Sequence, residues 1–463
     1  MDLRPYQIEC LNKLRESYRT GHRAPLLVAP TGAGKTIMFC AVAHGRIQRG
    51  GRTMILCHRQ ELVDQIVTAL RRFNIEPGVI AAGYETNDSA SVQVASVWTL
   101  ARRLERTPAP DFIIVDEAHH ATTKTTWGRI LNHYPNSLRL GVTATPYRLS
   151  GEGLDDIFDD LVLGPTVLDL MAIGALSRVK TYAPADPDMK GIKKTGGDWV
   201  KDALSELMDR GTVTGDAITH YKRLCDGRPA IAFCVSVQHA QHVAEQFSAA
   251  GYRAASIDGG MDREQRQQTV KDFRDGRIQI LTSCEIISEG FDIPGAVAGL
   301  LLRPTASLSL HLQQVGRILR PAAGKDVAYI LDHAGNTRRH GLCTSDQEWS
   351  LAGRERQPRR SGASEPDAGV RVCKSCFAAS PGRAVNCGDC GTPFPVKDRA
   401  VKQRDGELHE VTADTRRRDR REQSAAQSIE QLIAIGRARG FKNPAGWAWH
   451  IMKAREKKRG YWK

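Results

Sequence analysis

Residues 25–36 read PLLVAPTGAGKT, and the fold follows from how that stretch is taken. PLLVA is a short apolar run of the kind that fills the inside of a parallel sheet. APTGAGKT, residues 29–36, comes directly after it, and the helical pattern KTIMFCAVAHGRIQ opens on its last two residues. Strand, glycine turn, Lys-Thr and helix together form the context that a phosphate-binding loop requires. Gly32 and Gly34 let backbone N–H groups approach a phosphate, with Pro30, Thr31 and Ala33 completing the loop. Lys35 offers a point charge to β- and γ-phosphates. Thr36 offers a hydroxyl to Mg2+, and the helix N-terminus favours an anion. Ala29 stands where the first glycine of the pattern usually stands. A glycine turn without a nucleotide is the competing reading, and the agreement of all four features weighs against it.

A second stretch, FIIVDEAHH at 112–120, ends an apolar run in two acids and two histidines. Carboxylates are rarely buried without a partner. Taken alone, Asp116, Glu117, His119 and His120 would suit a transition metal. The phosphate loop shifts the balance, because Mg2+ prefers carboxylate and phosphate oxygen. On that reading Asp116 holds Mg2+ through its water shell and Glu117 polarises the attacking water. His119 senses the nucleotide, and His120 is left as a surface histidine.

The chain has 463 residues, enough for two to four domains at about 150 residues each. Its net charge of +14 favours a polyanionic partner. The excess is concentrated at residues 399–463, with 17 Lys+Arg against 8 Asp+Glu; a solvated basic face is the plain alternative there. No apolar run approaches the ~20 residues of a membrane span. The opening MDLRPYQIEC is not a signal peptide. Four of eleven cysteines cluster and seven are scattered, which is no disulfide framework. The expectation is a cytoplasmic protein.

Apolar runs and helical patterns alternate twice along the chain. APLLVA, RTMILC, SVQVAS, DFIIVD and LRLGVTA read as strands of a first unit, residues 1–165. AIAFCV, RAASID, IQILTS, VAGLLL and VAYILD read as strands of a second, residues 216–345, with Asp262 capping one of its helices. Such alternation implies an α/β fold with two parallel sheets, each covered on both faces. Residues 166–215 read as a connection, 346–370 as a polar linker, 371–398 as a cysteine module and 399–463 as a basic tail with two short helices.

The chain resembles the superfamily 2 helicases and translocases, and several motifs carry the likeness. LRPYQ at 3–7 looks like the adenine-reading motif; its Gln7 amide both donates and accepts, and Arg4 lies beside it. CHRQELVDQ at 57–65 and VASVWTL at 94–100 resemble strand-binding motifs, pointing to Arg59 and Ser96. VTATP at 142–146 resembles the coupling motif, with Thr143 and Thr145. ILTSCEIISEGFDIP at 280–294 and QQVGRILRP at 313–321 resemble the fifth and sixth motifs. The resemblance assigns Thr282 and Ser283 to backbone contacts with nucleic acid, and Gly290 and Asp292 to the nucleotide side. Cys284 stands where many relatives have threonine, and Glu289 where many RNA helicases of the superfamily have arginine. The likeness is closest to bacterial RadD-like and phage-borne DEAD/DEAH-box helicases, on residues 303–336 and the cysteine module after them. It implies two RecA-like lobes in tandem that close on ATP.

In the sixth motif Gln313 precedes Arg317 and Arg320, which share a helix face at three-residue spacing. They reach the γ-phosphate only if the two units meet, so lobe closure would be coupled to hydrolysis. CKSC and CGDC, separated by ten residues, place Cys373, Cys376, Cys387 and Cys390 in a small zinc-ribbon-like module. Two Cys-x2-Cys knuckles complete a tetrahedral Zn2+ site, with an iron site or redox dithiols as alternatives. In the tail, Trp447 and Trp449 stand among five Lys/Arg residues, which suits either base stacking or an inward-packed hairpin.

The expected function is an ATP-, Mg2+- and Zn2+-dependent DNA helicase or translocase of repair, recombination or replication, acting as a monomer. Its partners would be DNA rather than RNA, and a single-strand-binding or recombination protein. A restriction-system motor, an RNA helicase, and a binding module with weak ATPase are the alternatives.

Overall fold

The computed structural model describes residues 2–148, 150–184, 192–195, 198–209, 211–284, 295–353, 369–395 and 421–459, with 187, 189 and 293. Residues 1–396 form one compact unit and 397–463 a second. No helix among the described residues is long and apolar enough to cross a membrane.

The first lobe is a seven-stranded, all-parallel sheet. Its strands are β1 (Pro25–Val28), β2 (Thr53–Cys57), β3 (Gly78–Ile80), β4 (Val92–Ser96), β5 (Phe112–Asp116), β6 (Leu138–Thr143) and β7 (Asp160–Leu163), in the order β3-β4-β2-β5-β6-β1-β7. The Val, Ile and Leu runs of β1 to β5 are buried on both faces, as inner parallel strands require, while the edge strand β7 leaves Leu163 exposed. One face packs Leu27, Ile55 and Ile114 under the helices Pro5–Arg19, Lys35–Ile47 and Gln60–Arg71; the other packs Leu26, Met54 and Val115.

After β8 (Arg178–Tyr182) and a two-strand ribbon, β9 (Lys194–Thr195) and β10 (Asp198–Trp199), comes the second lobe. It contains β11 (Ala230–Phe233), β12 (Ala254–Ile257), β13 (Ile280–Ser283), β14 (Ala298–Leu301) and β15 (Val327–Asp332), in the order β12-β13-β11-β14-β15-β8, again all parallel. The segment expected as a plain connection therefore supplies an edge strand. β8 pairs with β15, about 150 residues away, so no local pattern signals the partnership. The expected linker also differs in its first part. Residues 348–353 return to the first lobe, where the Leu154 N–H donates to Leu351 O at 2.7 Å and Tyr147 Oη donates to Glu348 O at 2.9 Å. Trp349 and Leu351 pack against that lobe's core.

The cysteine module holds β16 (Val370–Val372) and β17 (Ala379–Pro381) and sits on β8. Asp389 accepts from Lys180 Nζ at 2.5 Å and Tyr182 Oη at 2.9 Å, while Ala378 bridges Tyr182. In the second unit the helices Ile429–Ala438 and Pro444–Arg459 form a hairpin, with Ser428 and Asn443 as caps. Trp447 packs into its small core beside Phe441, whereas Trp449 is exposed with Lys453 over its ring.

Candidate nucleotide site and nucleic-acid edge

Every candidate ATP-site element leaves its sheet at the same edge. β1 ends at the glycine loop, where two residues adopt positive φ: Gly32 at 91° and Gly34 at 77°. A Cβ on Gly34 would stand 2.5 Å from Gln7 Nε2, and one on Gly32 would stand 2.8 Å from Leu176. The positive φ favours glycine at both positions, and a side chain there would also displace the ends of Gln7 and Leu176. Gln7 is buried on the first helix, its Nε2 donating to Ala33 O at 3.4 Å. Its Oε1 accepts from the N–H of Arg4, an exposed residue, at 3.0 Å. Tyr6 Oη donates to the same Ala33 carbonyl at 3.1 Å, a contact that sequence reading missed although Tyr6 lies inside LRPYQ. Thr36 follows Lys35 on the first turn of the helix. Lys35 Nζ donates to Ala29 O at 3.1 Å and Pro30 O at 3.3 Å. Burial pulls its ammonium below the ordinary lysine range; Glu117 and Asp116 push back, and Arg317 and Arg320 add to the fall.

Asp116 is the buried last residue of β5. Burial, and then the neighbouring Glu117 charge, raise its carboxyl to about 7 against the opposing pull of Lys35. Glu117 adopts the left-handed region at φ 47° and ψ 53°, costly for a side chain with a Cβ and typical of functional sites. Asp116 and Thr36 offer oxygen donors only, a chemistry that fits Mg2+.

His119 is buried and ties three motifs together. Thr143 Oγ1 donates to Thr145 O at 2.8 Å, so it accepts from His119 Nδ1 at 3.0 Å. Nε2 is then the acceptor for the Gln313 amide at 3.3 Å. Glu117 Oε2 lies 3.4 Å from Nδ1. The His119–Gln313 contact joins the lobes, and Thr145 Oγ1 donates to Ser309 Oγ at 2.7 Å beside it. Ser309 was not singled out from the sequence, although it lies four residues before Gln313 and so on its helix face. His120, expected as a plain surface histidine, lies between His58 and His119, its ring centroid 4.2 Å from each and tilted by 49° and 40°.

The helix Leu308–Ile318 carries Gln313 and Arg317 against the phosphate loop, so closely that a Cβ on Gly316 would stand 2.5 Å from Thr31 Cβ. Arg320 lies just beyond the helix C-cap, Leu319, rather than on a helix face with Arg317. Both arginines still reach the field of Lys35. The turn that presents Arg320 is held by Lys325, a third residue that the sequence did not signal. Its Nζ donates to the carbonyls of Ala296 at 2.6 Å, Arg320 at 2.8 Å and Ile318, satisfying helix-end acceptors. Burial lowers its ammonium to about 8.

Arg59 and Ser96 lie at the ends of β2 and β4, and neither caps the helix that follows with its side chain. Thr282 and Ser283 lie at the C-terminal end of their strand. Both are buried in β13, an inner strand, where Thr282 Oγ1 donates to Ala240 O at 2.7 Å and Ser283 O accepts from Cys234 N–H at 2.8 Å. The Thr282 hydroxyl is thus committed to the neighbouring helix, whereas Ser283 Oγ, at the last residue of β13, is buried among the described residues without a hydrogen-bond partner. Gly290, Asp292 and Glu289 lie outside the described residues.

The four cysteines do come together, with all sulfurs within 4.8 Å of one another and the Cys373–Cys390 and Cys376–Cys387 pairs at 3.6 Å. A tetrahedron with metal–sulfur bonds of about 2.3 Å has edges of about 3.8 Å, so the cluster fits Zn2+. Backbone N–H groups of Cys376 and Ser375 hold the Cys373 thiol down at about 6.

Comparison with known proteins agrees with this geometry. The family profile described as "Type III restriction enzyme, res subunit" matches residues 1–148, and "Helicase conserved C-terminal domain" matches 216–322. A 51.5 kDa protein of Lactococcus phage (isolate 7-9) is 31% identical over 381 residues, covering 82% of this chain and 80% of that protein. The Saccharomyces cerevisiae protein provisionally named ATP-dependent helicase IRC3 is 30% identical over 358 residues, 72% of this chain. This chain spans 51% of the length of that yeast protein. Among solved structures, the ATP-dependent Type ISP restriction-modification enzyme LlaBIII bound to DNA has the same fold over 71% of this chain and 27% of its own, at a TM-score of 0.55 and 20% identity.

Proposed function

The chain belongs to the superfamily 2 helicases, ATP-hydrolysing enzymes built on two RecA-like lobes, and on that premise we propose a motor that couples ATP hydrolysis to movement along DNA. The observation that carries the proposal is the buried line from Glu117 through His119 to Gln313, with Arg317 and Arg320 close enough to oppose the Lys35 charge. Lys35 and the loop N–H groups bind the phosphates. Glu117 orients the attacking water and takes its proton. Arg317 and Arg320 stabilise the charge on the transferred phosphoryl group, worth roughly 10³-fold in rate or more for such arginines. Thr36 and Asp116 would hold Mg2+, which supplies positive charge at the β- and γ-phosphates. Because Gln313 and both arginines come from the second lobe, hydrolysis and release of the phosphate change what holds the lobes together, and that change drives stepping. Repair, recombination or replication in a bacterial or phage-infected cytoplasm is the proposed setting, with kinship to RadD-like proteins and Cys373, Cys376, Cys387 and Cys390 holding Zn2+.

The restriction-type profile on residues 1–148 favours a second reading, the motor subunit of a restriction system. The deciding assay is ATP hydrolysis with no nucleic acid, single-stranded DNA, duplex, forked DNA or RNA, using Glu117→Gln as the blank. DNA stimulation is expected. Equal or greater stimulation by RNA would replace the DNA reading, and full turnover by Lys35→Ala would remove the nucleotide-site assignment.

A further inference from the structure

β2 and β4 run side by side with Cys57 in register with Ser96. The residues that leave each strand, His58 and Arg59 on one side and Val97 and Trp98 on the other, therefore emerge together. They do so at the C-terminal edge of a parallel sheet, where such sheets bind ligands, and where the phosphate loop and Asp116 also lie. The short helix Val97–Leu100 is anchored by Val97 and Leu100, 1% and 0% exposed, in the core of the first lobe. Trp98, between them, is 61% exposed. Leaving an indole in water forgoes much of the favourable burial of a large side chain. The helix is thus fixed while its largest apolar residue faces outward; Arg59 follows the adjacent strand β2, and the exposed Arg102 lies four residues beyond Trp98 in the chain.

We propose that Trp98 is a base-stacking platform, and that nucleic acid crossing the first lobe there is single-stranded. This rests on the nucleic-acid motor reading. An indole stacks on any base, which suits a motor that must pass every sequence, and the arginines at the same sheet edge suit the phosphates of the strand. Within a duplex the base faces are covered by their neighbours, so a blunt duplex offers Trp98 nothing to stack on.

The test is affinity of the full-length protein for a labelled oligothymidylate and for a blunt duplex, across a salt series, with Trp98→Ala and Trp98→Phe. Trp98→Ala should weaken single-strand binding roughly 5- to 150-fold, the range of one lost stack. It should leave duplex binding and the melting temperature unchanged. The slope of log affinity against log salt should also stay, because Trp98 neutralises no phosphate. Trp98→Phe should restore most of the affinity. Unchanged single-strand affinity in Trp98→Ala, an equal loss on duplex, or a shallower salt slope would overturn the assignment. Wild-type protein that binds neither oligonucleotide would instead bring down the motor reading itself.

Discussion

Replacing Gly316 by alanine puts one methyl group where the arginine-bearing helix meets the phosphate loop. The new Cβ would stand 2.5 Å from Thr31 Cβ and 3.2 Å from Thr31 Cγ2 and Oγ1. Carbon atoms rest about 3.5–4.0 Å apart, so helix or loop must retreat by about 1 Å. Arg317 is the next residue and moves with the helix. A displacement of about 1 Å costs on the order of 10²-fold in rate, short of the ~10³-fold or more expected if the arginine were lost. Gln7, Lys35 and the loop remain in the first lobe, so the KM for ATP should move much less than kcat. Stability should not explain the loss, because alanine favours a helix interior over glycine by about 1 kcal/mol. Steady-state ATP hydrolysis at saturating DNA gives kcat and KM, and a thermal melt gives the control. Thr31→Gly removes the opposing Cβ, so Gly316→Ala should cost far less in that background than alone, a coupling that a double-mutant cycle measures. Wild-type kcat in Gly316→Ala would refute the argument, since it would mean that this packing of the lobes is not the one that hydrolyses ATP.

Acid should act mainly through the second lobe. His239, His311 and His333 are buried, and burial lowers each to about 4 from an ordinary value near 6.5. The folded state therefore binds fewer protons between these values, so their stabilisation is complete above about pH 6.5 and is lost as pH falls towards 4. Each carries up to about 3 kcal/mol at 1.36 kcal/mol per unit of pKa. The melting temperature should drop from pH 7 to 5, and His239→Asn should flatten the drop; a melt independent of pH in that range would contradict the assignment. The purified protein should carry one zinc per chain, and Cys373→Ser should lose it. Because Asp389 of that module bonds Lys180 and Tyr182 on edge strand β8, the same variant should melt earlier and expose residues 369–395 to protease. Full zinc content in Cys373→Ser, or an unaltered melt after its loss, would break that link.

The two parallel sheets were legible because their strands are short β-branched runs and the helices between them repeat apolar residues at helical spacing. The phosphate loop was legible for the same local reason, since glycine, lysine and the opening helix stand in adjacent positions. Asp116 and His119 could be picked out because each closes or follows a strand, where a parallel sheet exposes its chemistry. The burial of Thr282 and Ser283 was not legible, because position in a motif does not reveal it. They sit on an inner strand, and pairing on both sides takes their backbone. The tail tryptophans were ambiguous for a similar reason: helical spacing does not say which face finds a partner, and Trp447 does while Trp449 does not.

By itself the sequence determined the inner strands, their alternation with helices and the residue types of the nucleotide site, but not the strands β3, β7 and β8, since local reading depends on dihedral preference and on spacing along a few turns. Tertiary structure alone decided what meets across long separations. His119 reaches Gln313 over 194 residues, Thr145 reaches Ser309 over 164, and β8 closes a sheet whose other strands come later in the chain. Such contacts form only when the lobes pack, because the apolar faces must first exclude water before a buried histidine, amide or hydroxyl gains more from its partner than from solvent.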